Sequence, residues 1–588
     1  MAGDEGETVG RVLGTFDATP LQFWVAVRPG AYLQLDDVVV TTRELPAEAG
    51  QDRQPVTIAG VVTQVRARHE GATFDSDVFA IAEGTLPAQV QEAAEITTTR
   101  VEPEIYVPPA PGALVRRAGG AERDGALYFD RMERRIPVGT GRDGEPLYLN
   151  AEFLDGTRGA HVSISGISGV ATKTSFATWL LYAVFRCGVL GGAGETANTR
   201  ALIFNVKGED LLFLDHPNVR LDADTRAAYA RVGLTAGPFP DVCVYAPPRA
   251  GDRAGTPDVA SRLTGVDSFY WTLAEFCADR LLPYVFADAD DDRQQYTMVV
   301  HAITAYLQRH AEPAEGGVLL DGRRINSYQE LVDLIAERLS DDETRSQWAG
   351  SAIGLGTVNA FLRRLIASTR DLSRLIRGDL PTDRRHGINT AESAQVTVVD
   401  LHNLPDRAQR FVVGVILSTE FSRKERAGTA RPLLFVVLDE LNKYAPREGS
   451  SPIKEVLLDI AERGRSLGVI LIGAQQTASE VERRIVVNSA IKVVGRLDAA
   501  EASRPEYGFL PQAQRQRALI AKPGTMFISQ PDIPVPLVAE FPFPAWATRP
   551  AEAGAAPAAT LRSLVQSTDP FAVVGAARGG IPDDEIPF

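Results

Sequence analysis

A chain of 588 residues, 44% of them hydrophobic and 23% charged, is long enough for several domains and too rich in apolar side chains to be disordered throughout. Its net charge of −15 disfavours a protein coated in nucleic acid over its whole surface, though not a narrow basic channel within an acidic exterior. The 3 cysteines, Cys187, Cys243 and Cys277, are too scattered for a disulfide framework or a zinc site, and Met1-Ala-Gly-Asp-Glu-Gly-Glu is acidic where a secretory leader is basic, so the expected compartment is the cytoplasm.

Along the chain, residues 8–70 read as short strands (12–14, 23–27, 32–33, 38–40 and 56–65) broken by Pro, Gly and Asp turns, which predicts a small β-barrel. Residues 70–150 are less regular, and Pro103, Pro108, Pro109, Pro111 and Gly112 mark a stiff connector. Barrel and connector together are assigned to 1–150. An α/β core then spans 151–215, with strands ahead of Gly166 and at 201–206. A large, mainly helical insertion follows over 216–390, where apolar residues recur at helical spacing in 269–282, 296–307, 328–339 and 357–372. The core resumes over 391–545, with strands at 396–401, 431–440, 469–475, 493–497, 524–528 and 535–541 and helices at 408–419 and 452–463. The apolar run near residue 180 is interrupted by Arg186 and is too short to span a bilayer. From Ala545 onward alanine, proline and glycine dominate, so 546–588 is predicted to be a disordered tail.

The segment His161-Val-Ser-Ile-Ser-Gly-Ile-Ser-Gly-Val-Ala-Thr-Lys-Thr174 carries the most chemistry. A short apolar strand enters a glycine-containing turn, then Lys173 and Thr174, then a helix predicted over 175–185. That order suits a nucleoside triphosphate such as ATP. Backbone N–H groups of a turn containing Gly166, Gly169, Ala171 and Thr172 would wrap the phosphates, Lys173 would reach the β/γ oxygens, and the Thr174 hydroxyl would sit on Mg2+. The spacing departs from the usual phosphate loop. Lys173 lies seven residues after Gly166, and Thr172 stands where a glycine is customary.

Arg431-Pro-Leu-Leu-Phe-Val-Val-Leu-Asp-Glu440 is a continuous apolar run ending in two carboxylates, the pattern of a central parallel strand covered on both faces. Acids at the carboxyl end of such a strand face the ligand crevice. Asp439 would hold Mg2+ through its water shell, and Glu440 would polarise the attacking water.

Taken in order, these segments resemble the HerA/FtsK superfamily of hexameric DNA-translocating ATPases, and bacterial HerA more closely. The resemblance rests on the barrel candidate, the turn before Lys173-Thr174, Leu202-Ile-Phe-Asn-Val-Lys-Gly-Glu209, the 434–440 strand, and Ala461-Glu-Arg-Gly-Arg-Ser-Leu-Gly468 running into Leu471-Ile-Gly-Ala-Gln-Gln476. It implies a RecA-like P-loop core behind a small barrel, ATP and Mg2+ as ligands, a homo-hexameric ring and double-stranded DNA in its channel. It also implies that Gln475 is a polar sensor beside the γ-phosphate and that Arg465 is an arginine supplied to a neighbour's nucleotide, with Arg463 and Arg496 as alternatives. Relatives of this kind work with a NurA-like nuclease or another effector, in DNA end processing or anti-phage defence. The basic pairs Arg363-Arg364 and Arg384-Arg385, with Arg374 and Arg377, could line that channel or be ordinary charged helix faces, and individually the second reading is preferred.

The last residues, Gly580-Ile-Pro-Asp-Asp-Glu-Ile-Pro-Phe588, resemble the acidic tip of bacterial single-stranded DNA-binding proteins. Phe588 would enter an apolar pocket while Asp583, Asp584 and Glu585 meet a basic rim on a tip-reading protein. Two readings of function remain open: an ATP-hydrolysing DNA translocase or helicase, and a ring-forming scaffold or regulatory ATPase controlling a partner effector. A secretion or conjugation motor of the same superfamily is disfavoured by the lack of a membrane segment.

Overall fold

Six amino-terminal strands whose apolar residues face one another close into a barrel, in the order Thr8–Val12, Gln22–Val27, Gln89–Glu102, Pro55–Glu70, Val38–Glu44 and Leu114–Arg117. The computed structural model describes residues 7–46, 54–167, 173–190, 198–286, 294–350, 353–380 and 386–554. Val9, Phe23, Val25, Val56, Ile58, Ile96 and Val115 fill the barrel. Two of its strands lie beyond residue 70. Gln89–Glu102 hid from pattern reading because several of its buried positions are small or polar (Ala93, Ala94, Thr98 and Thr99), and the short Leu114–Arg117 strand follows the proline-rich stretch.

The second unit is built on one 12-stranded sheet. Eight strands run parallel in the order Val266–Ser268, Val242–Ala246, Val396–Asp400, Thr199–Asn205, Leu433–Asp439, Val469–Gln475, Val162–Ser165 and Ile491–Val494. Four antiparallel strands extend it: Thr525–Ser529, Leu537–Glu540, Arg135–Thr140 and Pro146–Asn150. The central strands are runs of Val, Ile and Leu with every residue buried, as both-face coverage demands. One face packs on the Lys173–Arg186 helix, the other on Asp406–Ala427 and Pro452–Leu467. This is the expected class: a small β-barrel ahead of a RecA-like α/β core carrying a mainly helical insertion.

Boundaries shift in three places. The hairpin Arg135–Thr140 with Pro146–Asn150 belongs to the core sheet, not to a connector. Val242–Ala246 and Val266–Ser268 are also core strands, so the helical insertion is narrower than 216–390 and its helices run from Leu273–Ala278 to Leu355–Leu372. Val266–Ser268 is a three-residue edge strand with no apolar run to read, whereas Val242-Cys-Val-Tyr-Ala246 is a short apolar run that sequence reading passed over within the helical stretch. The third shift concerns the tail. Ala545, Trp546 and Ala547 have no exposed surface, and the Trp546 ring lies 4.8 Å from Tyr182 and 5.0 Å from Phe239. One tryptophan burying its ring outweighs the tail-like composition around it.

Local sequence explains how the helix after the carboxylates ends. Ser451 caps Pro452–Leu467 by accepting from the Lys454 N–H, and Pro452 occupies the first turn. Gly468 ends the helix at φ +68, where a Cβ would lie 1.8 Å from the Ala430 carbonyl oxygen. No other residue fits there, and the tight exit starts the Val469–Gln475 strand at once.

Candidate nucleotide site

Parallel strand order brings the carboxyl ends of Val162–Ser165, Val469–Gln475, Leu433–Asp439 and Thr199–Asn205 to one edge of the sheet. One strand, Val469–Gln475, separates the strand leading to Lys173 from the strand carrying Asp439. That order keeps the start of the Lys173–Arg186 helix within contact of the acid-bearing strand.

Entry to the turn is pinned by backbone. The Gly166 N–H donates to the Gln475 carbonyl at 3.2 Å and the Ile167 N–H to the Arg496 carbonyl at 2.8 Å. A Cβ on Gly166 would meet the Arg496 carbonyl oxygen at 3.3 Å, so the close approach favours glycine. Gly169, Ala171 and Thr172 lie outside the described residues.

Lys173 is the first residue of its helix and only 5% exposed. Its Nζ donates to the Gly166 carbonyl at 2.8 Å, back across the turn. Burial pulls its pKa down to about 8, against the opposing pull of the Asp439 carboxylate. A lysine held this way gains from an arriving anion. Thr174 Oγ1 donates to Asp439 Oδ2 at 3.2 Å, joining positions 265 residues apart in sequence.

Asp439 is 6% exposed at the end of its strand. The Glu440 N–H donates to Asp439 Oδ1 at 2.9 Å, and Glu440 itself adopts φ +58, ψ +48. A left-handed conformation is unfavourable for glutamate, and such strain collects at functional sites. Here it breaks the strand and starts the short Leu441–Tyr444 helix.

Lys207, which sequence reading left without a role, completes the constellation. It follows Asn205 at the end of the neighbouring strand, and its Nζ lies 3.0 Å from Asp439 Oδ2 and 3.2 Å from Glu440 Oε1. Burial works against its charge, but the two carboxylates outweigh burial and hold its pKa above the ordinary lysine value. Asn205 is fixed in turn by Asp400, which accepts from Asn205 Nδ2 at 2.8 Å and pairs with His402 Nδ1 at 2.8 Å. The signal in sequence was the Asn-Val-Lys-Gly turn after a buried strand, but a reach across to the next strand is a tertiary fact.

A cleft of 270 Å³ opens beside these groups, lined by Lys173, Thr174, Lys207 and Asp439 on one side and Thr548 and Arg549 on the other. Arg549 Nε donates to Asp210 Oδ1 at 3.0 Å, which ties the carboxyl-terminal segment to the cleft wall. Sequence reasoning missed this wall because it assigned residues beyond 545 to the tail.

The remaining candidates sit as follows. Gln475 is fully buried, and its Nε2 donates to Ser163 Oγ at 2.8 Å and Ser165 Oγ at 3.0 Å. It ties the carboxylate side of the sheet to the strand that leads into the turn. Its Oε1 accepts no hydrogen bond from a described residue. Arg465 belongs to the last turn before Val469–Gln475 begins, at the sheet edge opposite Lys173. There its Nε donates to the Gly156 carbonyl at 2.8 Å and a terminal nitrogen to the Thr157 carbonyl at 2.6 Å. Arg463 pairs with Glu425 near the same edge. Arg496 follows Ile491–Val494 on the Lys173 side, its Nε donating to the Leu519 carbonyl at 3.1 Å. In the insertion, Arg374 pairs with Asp258 at 2.7 Å and Arg377 with Asp379 at 2.6 Å, so both are tied into their own chain. Arg384 and Arg385, and the tip 580–588, lie outside the described residues.

A hydroxyl and a carboxylate oxygen in contact are hard oxygen donors, and the buried lysine beside them is a cation that could meet an anion. The set fits a Mg2+–nucleotide complex. Among the described residues no helix is long and apolar enough to cross a membrane.

No protein-family model matches the chain, and no curated protein matches its sequence. Solved structures are similar to it in part. VirB4 of Thermoanaerobacter pseudethanolicus shares 15% identity over 70% of this chain and 96% of its own, with a TM-score of 0.42. The bacterial conjugative coupling protein TrwBdeltaN70, in its trigonal form with sulphate, shares 13% identity over 74% of this chain and 94% of its own, with a TM-score of 0.46. The genome packaging NTPase B204 from Sulfolobus turreted icosahedral virus 2, in complex with ATP-gammaS, shares 12% identity over 26% of this chain and 70% of its own, with a TM-score of 0.20. With each of these three scores below 0.5, function rests on the residues of the site.

Proposed function

We propose that this chain is an ATP-hydrolysing motor whose copies assemble into a ring, a homo-hexamer of the HerA/FtsK type, and translocate double-stranded DNA. The observation that carries the reading is the contact of Thr174 with Asp439, beside buried Lys173 and adjacent to Glu440. Phosphate-loop and carboxylate residues meet at the sheet edge where open α/β folds bind ligands.

In this reading the turn after Gly166 encloses the phosphates and Lys173 exchanges the Gly166 carbonyl for phosphate oxygens. Thr174 and Asp439 would hold Mg2+, which when bound neutralises phosphate charge. Glu440 orients the attacking water and takes up its proton. Gln475, locked to Ser163 and Ser165, couples the sheet to the turn as the phosphates change. Arg465, at the sheet edge opposite Lys173, would serve a neighbour's nucleotide and would first release the Gly156 and Thr157 carbonyls.

The biological setting we assign is the cytoplasm, in DNA end processing or anti-phage defence, with a NurA-like nuclease or other effector as partner. The acidic tip at 583–588 would dock a protein that reads such ends. The test is hydrolysis with and without linear duplex DNA. Stimulation by DNA that disappears in Lys173→Ala and Glu440→Gln supports the motor. A pull-down with and without residues 583–588 tests the tip, and equal capture by both forms removes that assignment.

The second reading, a ring that assembles and controls an effector without sustained movement, draws on two observations. Thr172 and the extra residue depart from the usual loop, and Arg465 is engaged within its own chain. Tight nucleotide binding without DNA stimulation, with an effector present, would favour it.

A further inference from the structure

Two carboxylates adjacent in sequence, one of them nearly buried, need a counter-charge. Lys207 supplies it from the neighbouring strand's turn by bridging Asp439 Oδ2 and Glu440 Oε1 at 3.0 and 3.2 Å. The oxygen it takes on Asp439 is the one that also accepts from Thr174 Oγ1 at 3.2 Å. A divalent ion held by Thr174 and Asp439 would compete with the Lys207 ammonium for that oxygen. The lysine is placed to give way. It sits in a turn, its side chain is 42% exposed, and four methylenes let the ammonium swing without moving backbone. The cleft it lines also contains Lys173, so an ammonium leaving the acids stays within the phosphate site.

We propose that Lys207 is a stand-in for the divalent cation: it neutralises Asp439 and Glu440 while the site is without nucleotide and is displaced when the metal–nucleotide complex binds. It is a positioning residue, acting through the two acids. It keeps them from repelling each other and makes metal binding depend on nucleotide, because free metal must expel an ammonium whereas phosphate offers that ammonium a new partner. The inference rests on the nucleotide-site reading above.

The test uses the full-length protein and Mn2+ alone, with free Mn2+ read by electron paramagnetic resonance. In Lys207→Met, Mn2+ affinity without nucleotide should rise about tenfold or more, as removal of a cation in contact with partly screened acids requires. Lys207→Gln provides a second neutral variant should the first fail to fold, and the same rise is expected. Asp439→Asn should abolish the gain when combined with either, which locates the ion. Binding of a fluorescent ATP analogue with Mg2+ to the wild type is measured alongside. If the wild type binds the analogue and neutral variants bind Mn2+ no tighter, or if the gain survives Asp439→Asn, the stand-in role is overturned. If the wild type does not bind the analogue, the nucleotide-site reading falls instead.

Discussion

Replacing Lys173 by methionine should make the nucleotide-free protein more stable, not less. The ammonium is 5% exposed and burial brings its pKa to about 8 from an ordinary 10.5. A tenfold change in proton affinity is worth about 1.4 kcal/mol, so holding the charged form in the empty site costs ~3 kcal/mol at pH 7. Methionine fills similar space without that charge. Loss of the 2.8 Å hydrogen bond to the Gly166 carbonyl offsets about 1–2 kcal/mol, leaving a net gain of the same order. The sign follows from proton binding. Because the folded-state pKa lies below the unfolded one, the unfolded chain binds the extra proton between pH 8 and 10.5. Wild-type stability therefore rises across that window, and the advantage of Lys173→Met should shrink as pH climbs through it. Nucleotide should reverse the ranking at pH 7. A hundredfold excess over Kd stabilises a binding-competent site by ~3 kcal/mol, and the variant should show no such gain. Thermal unfolding at pH 7 and 9.5, with and without Mg2+–ADP, reads all of this. A variant much less stable than wild type when empty, yet stabilised equally by nucleotide, would refute the placement of Lys173 at the phosphates.

Glu440→Gln should lower kcat by about 10²–10⁴-fold with little change in nucleotide affinity, because it removes the proton acceptor and keeps the turn; steady-state hydrolysis and analogue binding separate the two effects. His161 is 2% exposed, its Nδ1 accepts from the Leu471 N–H at 2.9 Å, and burial depresses its pKa to about 4. Its folded pKa lies below the ordinary 6.5, so stability present above pH 6.5 should be lost as pH falls toward 4, by up to ~3 kcal/mol. His161→Asn, which keeps an acceptor, should flatten that part of the melting-temperature profile, and an unchanged acid slope would count against it. Truncation after Gly554 should leave the melting temperature unchanged, whereas truncation after Pro544 removes buried Trp546 and should cost ~3–5 kcal/mol, read by denaturant midpoint.

What sequence alone determined is the chemistry carried by continuous segments. An unbroken apolar run ending in Asp439-Glu440 reads as a strand buried on both faces with its acids at one end, and the structure has that strand. A strand, a glycine and Lys173-Thr174 opening a helix raise the expectation of an anion site, because helix amides and a lysine both favour negative charge. The 461–468 segment read correctly as a helix end feeding a strand, and Gly468 is there for the turn between them. Tertiary structure decided whatever depends on neighbours in space. The sheet order places Val469–Gln475 between turn and acids, buries Gln475 against Ser163 and Ser165, and sets Arg465 at the far edge. The barrel closes through Gln89–Glu102, whose buried positions include small or polar Ala93, Ala94, Thr98 and Thr99, and the tail-like segment at 545–554 is held by buried Trp546, by backbone hydrogen bonds to residues 211–219 and by Arg549 on Asp210. Lys207 is the clearest case. Its type and position are plain in sequence, but its role depends on lying one strand away from two carboxylates, and strand adjacency is a long-range pairing that no local pattern encodes.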